Sequence, residues 1–214
     1  MIRFPWHKLD ADERIGAPIL IRELGIWTAL KVGRRVRREL KSGAPFVHME
    51  PAANERDRLS RGQIGRAIVL YSTLQRYRSQ EQALRLTRAI VVEAACVFLG
   101  EQIGSLSRAS LANIPQPERR GWVEEKGSRF FNATMRWDRV DDRGVDFTVT
   151  ACAFPPLCVA AGVPELAPIF CAGDAKFFGA VEPNVMLDRP KTIADGDECC
   201  VFRLRFAESS DGAA

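Results

Sequence analysis

Four of the five cysteines in the last third of the chain, Cys152, Cys171, Cys199 and Cys200, stand close in sequence to Asp174 and Arg189. Cys171 and Asp174 are three residues apart, a spacing that puts both side chains on one face of a helix and lets a thiol and a carboxylate enter the same pocket. Such a pair suits attack by sulfur on an electrophilic carbon, with the carboxylate moving protons or holding an amino group. A carboxylate also raises a neighbouring thiol's pKa, so the pair calls for a cation, from Arg189 or Lys176. A second arrangement places Cys152, Cys171 and Cys200 as three thiolates on one metal ion, most simply zinc, with Asp174, Cys199 or water as fourth ligand. The chain has no Cys-x-x-Cys pair, so such ligands must come from separate elements. The third reading is packing, because a buried thiol behaves as a small apolar group, and Cys96 and Cys158 are assigned to it outright. His7 and His48 are the only histidines. Both fall in or beside expected loops, which disfavours a Ser-His-Asp or Cys-His centre.

The elements that must position these residues follow from hydrophobic period and breakers. Apolar residues from Ile15 to Val32 predict a helix over about 10–40, with Asp10 or Asp12 as N-cap and Pro18 kinking or delaying its start. Its second half carries Lys31, Arg34, Arg35, Arg37, Arg38 and Lys41, a cluster that favours the negative end of the helix dipole. Residues 45–60 read as a connecting loop, followed by two packed helices, one around Ile64–Leu74 and one from about Glu81 to Gly100. Residues 105–126 read as a loop or short-helix region. Alternation then predicts a hairpin, 129–137 and 145–150, turning at Asp141-Asp-Arg-Gly144. Helices over 155–162 and from Pro164 to about Phe178 follow, because proline is favoured in a first helical turn. Two last strands, 184–188 and 200–206, flank an Asp195-Gly-Asp turn. Cys152 thus ends a strand, Cys171 lies inside a helix, and Cys200 enters the last strand.

The expected fold class is α+β: N-terminal helices packed on a roughly four-stranded antiparallel sheet with inserted helices. The expected division is an N-terminal helical extension over 1–44, a single α+β domain over 45–207 and a disordered tail over 208–214. Phosphate-binding glycine motifs are absent, which argues against a nucleotide fold.

With 214 residues, 46% hydrophobic and 27% charged, the chain falls in the range of a globular domain with one substantial core. Its 31 basic and 27 acidic residues nearly balance, so no nucleic-acid partner is expected. Glu93 interrupts the longest apolar stretch, and no transmembrane segment is expected. The N-terminus lacks the pattern of a secretory signal. Six cysteines in a chain of this size fit reduced thiols and a cytoplasmic protein better than a disulfide framework. Apolar positions on the N-terminal helix are compatible with a homodimer.

The run Cys152 … Gly162-Val-Pro-Glu-Leu … Phe170-Cys171-Ala-Gly-Asp174 … Arg189-Pro-Lys-Thr192 … Gly196-Asp-Glu-Cys-Cys200-Val-Phe202 resembles the L-2-amino-thiazoline-4-carboxylic acid hydrolase family. The resemblance spans roughly residues 60–206 and is specific from Cys152 onward. It singles out Cys152, Cys171, Asp174, Arg189, Thr192, Gly196 and Cys200. It implies hydrolytic opening of a small cyclic amidine, giving an N-carbamoyl amino acid, without an organic cofactor. On that basis Cys171 is the expected nucleophile and Asp174 the acid/base or amine anchor. Arg189 and Thr192 are the expected substrate-binding residues, the planar fork of Arg189 suiting a substrate carboxylate. The segment Thr192–Phe202 also resembles the 4-vinyl-reductase sensor domain, whose cysteines at similar places hold zinc beside a ligand pocket. That resemblance implies the alternative, a non-catalytic small-molecule binding or sensor domain with structural zinc at Cys152, Cys171 and Cys200.

Overall fold

The computed structural model describes residues 10–104 and 106–207. His7 and the 208–214 tail lie outside them. The first helical segment is two helices, α1 (Ala11–Leu24) and α2 (Ile26–Lys41). Asp10 caps α1: its side chain accepts from the Glu13 N–H, and the Glu13 carboxylate accepts in return from the Asp10 N–H. The single helix expected over 10–40 breaks at Gly25, whose φ of 76° and ψ of 157° are open to glycine and costly for other residues. The apolar period continues through Leu24 and Ile26, which is why spacing alone hides the break. Pro18 sits inside α1 and does not delay its start. Of the basic cluster, Arg37 is paired with Glu13, and Arg35 and Arg38 share Glu39.

Helix α3 (Glu55–Leu74) starts within the expected loop, where Asn54 accepts a hydrogen bond from the Asp57 N–H. Helix α4 (Gln80–Ile103) follows, then the short helices α5 (Arg108–Ala112) and α6 (Arg119–Ser128). The stretch containing α4 is long and apolar enough, by length and composition, to cross a membrane. In the fold α4 packs on α8, α1 and α3, with Ala83, Leu86, Ile90, Cys96, Leu99 and Ile103 buried.

The sheet has the order β1-β2-β4-β3, antiparallel throughout: β1 (Ala133–Asp141), β2 (Gly144–Cys152), β3 (Val185–Asp188) and β4 (Cys200–Phe206). The β1–β2 turn lies where expected, with Asp141 accepting from the N–H groups of Arg143 and Gly144. Helices α7 (Phe154–Ala160) and α8 (Ala167–Lys176) are inserted between β2 and β3, so the architecture is α+β as expected.

Two buried clusters meet in the middle. One joins α1 and α2 to α3, α4, α7 and α8 through residues such as Leu20, Val32, Ile68, Tyr71 and Leu166. The N-terminal helices therefore share this core. The other lies between the inner face of the sheet and the C-terminal half of α4, around Leu99, Val145, Phe147, Phe177 and Phe202. Cys152 packs against both.

Candidate active site at the seam of the two cores

Strand period and one irregularity aim the thiols. In β4 the two-residue alternation buries Cys200, Phe202 and Leu204 on one face and leaves Cys199 off it. In β2, Val145, Phe147 and Val149 share that face. The register with β1 slips between Thr134 and Met135, where Met135 pairs with Val149 but Thr134 pairs with Ala151. This β-bulge inserts Thr150 and turns Cys152, in place of Ala151, towards the side Val149 faces.

Helix α8 supplies the other wall. Gly173 lets it lie against α4: a Cβ there would stand 2.4 Å from the Cβ of Ala95. On this close-packed helix the three-residue spacing does what the sequence implies, and Cys171 and Asp174 both face a cavity of about 180 Å³ between α4, α8 and the sheet. Cys152, Cys200, Asn132 and Gln63 line it as well. Three thiols and one carboxylate therefore face a single cavity.

Burial and local partners set their protonation. Desolvation pushes the Cys171 thiol up to about 12, with the Asp174 charge adding to the rise and Arg189 opposing it. Asp174 is pushed up to about 6 by desolvation, against the pull of Arg189. Arg189 Nη1 donates to Asp174 Oδ2 at 2.7 Å, Nη2 donates to the Cys171 carbonyl at 2.9 Å, and the guanidinium lies 5.2 Å from the centre of the Phe202 ring. Burial also raises Cys152 and Cys200. Each has a compensating donor: Asn132 Nδ2 is 3.7 Å from Cys152 Sγ, and the Ile193 N–H is 3.2 Å from Cys200 Sγ.

The expected substrate-binding residues lie behind the cavity wall. Arg189 is engaged by Asp174 and supplies the cation that the Cys171–Asp174 pair requires. Lys176, the other candidate, is paired with Glu93. Thr192 is buried; its Oγ1 donates to Asp195 Oδ2 at 2.6 Å, and its N–H donates to Asp197 Oδ2 at 2.9 Å. It thereby braces the turn, completed by Gly196 in the left-handed region, that presents the Ile193 N–H to Cys200. His48 is exposed, and Cys96 and Cys158 are buried in the two cores.

Among the described residues no three His, Cys, Asp or Glu side chains are grouped as ligands of one metal ion.

Sequence reasoning missed three polar residues on the cavity wall. Asn132 precedes β1, and only the fold brings it to Cys152. Gln63, on α3, has a buried Oε1 without a hydrogen-bond partner among the described residues. Lys126, on α6, is the one cation on the wall among them; its Nζ donates to the Ile103 carbonyl and lies 4.5 Å from the centre of the Trp122 ring.

The family model for L-2-amino-thiazoline-4-carboxylic acid hydrolase matches residues 58–204, a span that holds every cavity residue named above. The chain belongs to this family. The match extends from α3 into β4, so it covers both walls of the cavity and the Cys171–Asp174 pair. Comparison with curated proteins and with solved structures returned no match. The family's name is that of a hydrolase of a thiazoline carboxylate, and the chain is a hydrolase-family member on that ground.

Proposed function

We propose that the cavity hydrolyses a small cyclic amidine or thiazoline-type ring, with Cys171 as nucleophile and Asp174 as acid and base. The observation that carries this reading is Asp174: a carboxyl pushed up to about 6, facing the cavity beside a thiol three residues away. A group titrating near neutrality can both take and return a proton, as general acid–base catalysis requires.

Magnitudes constrain the order of events. With Cys171 at about 12 and Asp174 at about 6, full proton transfer from thiol to carboxylate in the empty site costs about 8 kcal/mol. The resting pair is therefore thiol and carboxylate. A cationic amidinium bound beside them lowers the thiol's pKa, and Asp174 takes the proton as sulfur attacks. The Sγ–C bond forms at the amidine carbon and a ring bond from that carbon breaks, in a thiazoline the bond to the ring sulfur, whose loss leaves the N-carbamoyl product, and the departing atom takes the proton from Asp174. Water then adds to the same carbon, Asp174 receives its proton, the C–S bond breaks, and the proton returns to Cys171. Every proton is accounted for, and the step calls on no oxidant, organic cofactor or metal.

Arg189 is read as a positioning residue, since its guanidinium holds Asp174 and the Cys171 carbonyl. The unspent acceptor of Gln63 matches an amidine N–H, and the donors at Cys152 and Cys200 keep those thiols as wall groups. The six unpaired cysteines fit a reducing, cytoplasmic setting. The test is ring opening of 2-amino-thiazoline compounds by wild type, Cys171→Ser and Asp174→Asn. Both substitutions should lower kcat by about a hundredfold or more. Turnover unchanged in both would overturn the assignment.

A further inference from the structure

Among the described residues, Asp174 and Lys126 are the only charged side chains on the cavity wall. They stand at different levels. Asp174 follows Gly173, where α8 crosses α4 at Ala95, whereas Lys126 Nζ lies at the Ile103 carbonyl, near the end of α4. The step from Ala95 to Ile103 rises about 12 Å along the helix. Apolar side chains such as Leu99, Phe147 and Phe202 wall the cavity around these two charges.

Lys126 also differs in its partners. Arg189 is paired with Asp174, and Lys176 with Glu93. The Lys126 ammonium has a backbone carbonyl and the Trp122 ring, and no carboxylate partner among the described residues. Burial lowers its pKa, the cost of holding a partly desolvated cation against neutral groups. An ammonium carries three donors, and the Ile103 carbonyl occupies one of them.

We infer that Lys126 receives a carboxylate of the substrate while Asp174 meets its amidine, so that this chain selects cyclic amidines bearing a ring carboxylate. The inference rests on the hydrolytic reading above and adds to it a specificity-determining residue. With ordinary bond lengths, an amino nitrogen and a carboxylate oxygen borne at the 2- and 4-positions of a five-membered ring lie about 6 Å apart. A hydrogen bond of about 2.8 Å at each end extends the reach to about 11 Å, close to the separation of the two levels. The flexible stem of a lysine takes up the difference. One anion and one cation on the wall also fix direction: the reversed pose sets carboxylate against Asp174 and amidinium against Lys126. The favoured pose brings the amidine carbon to the Cys171 end. The carboxylate-binding role expected of Arg189 thus passes to a residue of α6.

The experiment compares 2-amino-thiazoline-4-carboxylate, its 4-carboxamide and unsubstituted 2-amino-thiazoline on the full chain, with Kd from calorimetry and kcat/KM from ring opening. Wild type is expected to bind the carboxylate about tenfold or more tighter than the neutral carboxamide, as loss of a charge-assisted hydrogen bond implies. Lys126→Met keeps the stem and should bring that ratio close to one, with the loss in kcat/KM for the carboxylate carried mainly by KM. Lys126→Gln, which retains a donor for the Ile103 carbonyl, should act alike, and Lys126→Arg should keep most of the preference. Equal binding of carboxylate and carboxamide by wild type, or a carboxylate preference that survives in the folded methionine or glutamine variant, overturns the inference; ring opening in the same assays leaves the hydrolytic reading standing. A carboxylate preference that Lys126→Met or Lys126→Gln abolishes, without ring opening of any of the three compounds, supports this inference and refutes hydrolysis.

Discussion

Replacing Arg189 with glutamine tests how the site is tuned. In the wild type, the guanidinium 2.7 Å from Asp174 Oδ2 offsets part of the desolvation that pushes this carboxyl to about 6. An opposite charge at contact lowers a carboxyl by roughly 1–3 pH units, so its removal should raise Asp174 by that much. The reaction needs Asp174 ionised at the start, so the ascending limb of kcat/KM against pH, near pH 6 in the wild type, should move to between about pH 7 and 9. A displacement of about two pH units lowers activity at pH 7 roughly tenfold and leaves much of it recoverable at pH 9. The carboxyl escapes an unpaired buried charge by holding its proton, so the variant's stability at pH 7 should fall through this titration by only about 1 to 1.4 kcal/mol in total, however far the pKa rises. Arg189→Lys keeps the charge but not the fork, and its profile should lie between the other two. The assay is ring-opening rate across pH 5–10 with folding checked by circular dichroism. An ascending limb that stays in place in Arg189→Gln refutes the argument.

Four further outcomes follow from particular contacts. Gly173→Ala should destabilise the protein by about 1–3 kcal/mol in urea unfolding, because the new Cβ meets Ala95 at 2.4 Å, and Ala95→Gly should restore most of the loss. Asp174 has a folded pKa raised above 3.8, so its contribution to stability is fully present below about pH 4 and is lost as pH rises through about 6. That loss is about 3 kcal/mol, and the difference in unfolding free energy between wild type and Asp174→Asn should vary by about this amount between pH 4 and 7. Thr192→Val removes the hydroxyl that bonds Asp195, so alkylation of Cys200 by iodoacetamide should accelerate, mapped by peptide mass spectrometry. Gln63→Met should raise KM for an amidine several-fold with little change in kcat, and an unaltered KM removes Gln63 from the binding site.

The local parts of this architecture were legible where a residue type has one strong reason to be where it is. The Asp141–Gly144 turn, the proline-opened segment before α8 and the Cys171–Asp174 spacing all act within a few residues and came through as read. The break at Gly25 did not, because apolar residues on both sides continue one helical period across it. Asn54 as the cap of α3 was hidden among the charged residues that made 45–60 look irregular. The cavity itself rests on contacts between distant segments. Asn132 meets Cys152 across a bulge, Gln63 arrives from α3, and the approach of α8 to α4 depends on Gly173 opposite Ala95. Arg189 shows the same limit in chemistry: its charge was anticipated, but whether it faces substrate or Asp174 is decided by tertiary packing.

The most direct measurement of the central claim is the single-turnover rate of ring opening at pH 8, with 2-amino-thiazoline-4-carboxylate and unsubstituted 2-amino-thiazoline as substrates, for wild type, Cys171→Ser and Asp174→Asn. The account predicts measurable opening by the wild type and a loss of about a hundredfold or more in each variant, with circular dichroism unchanged. Wild-type rates retained by both folded variants would contradict it.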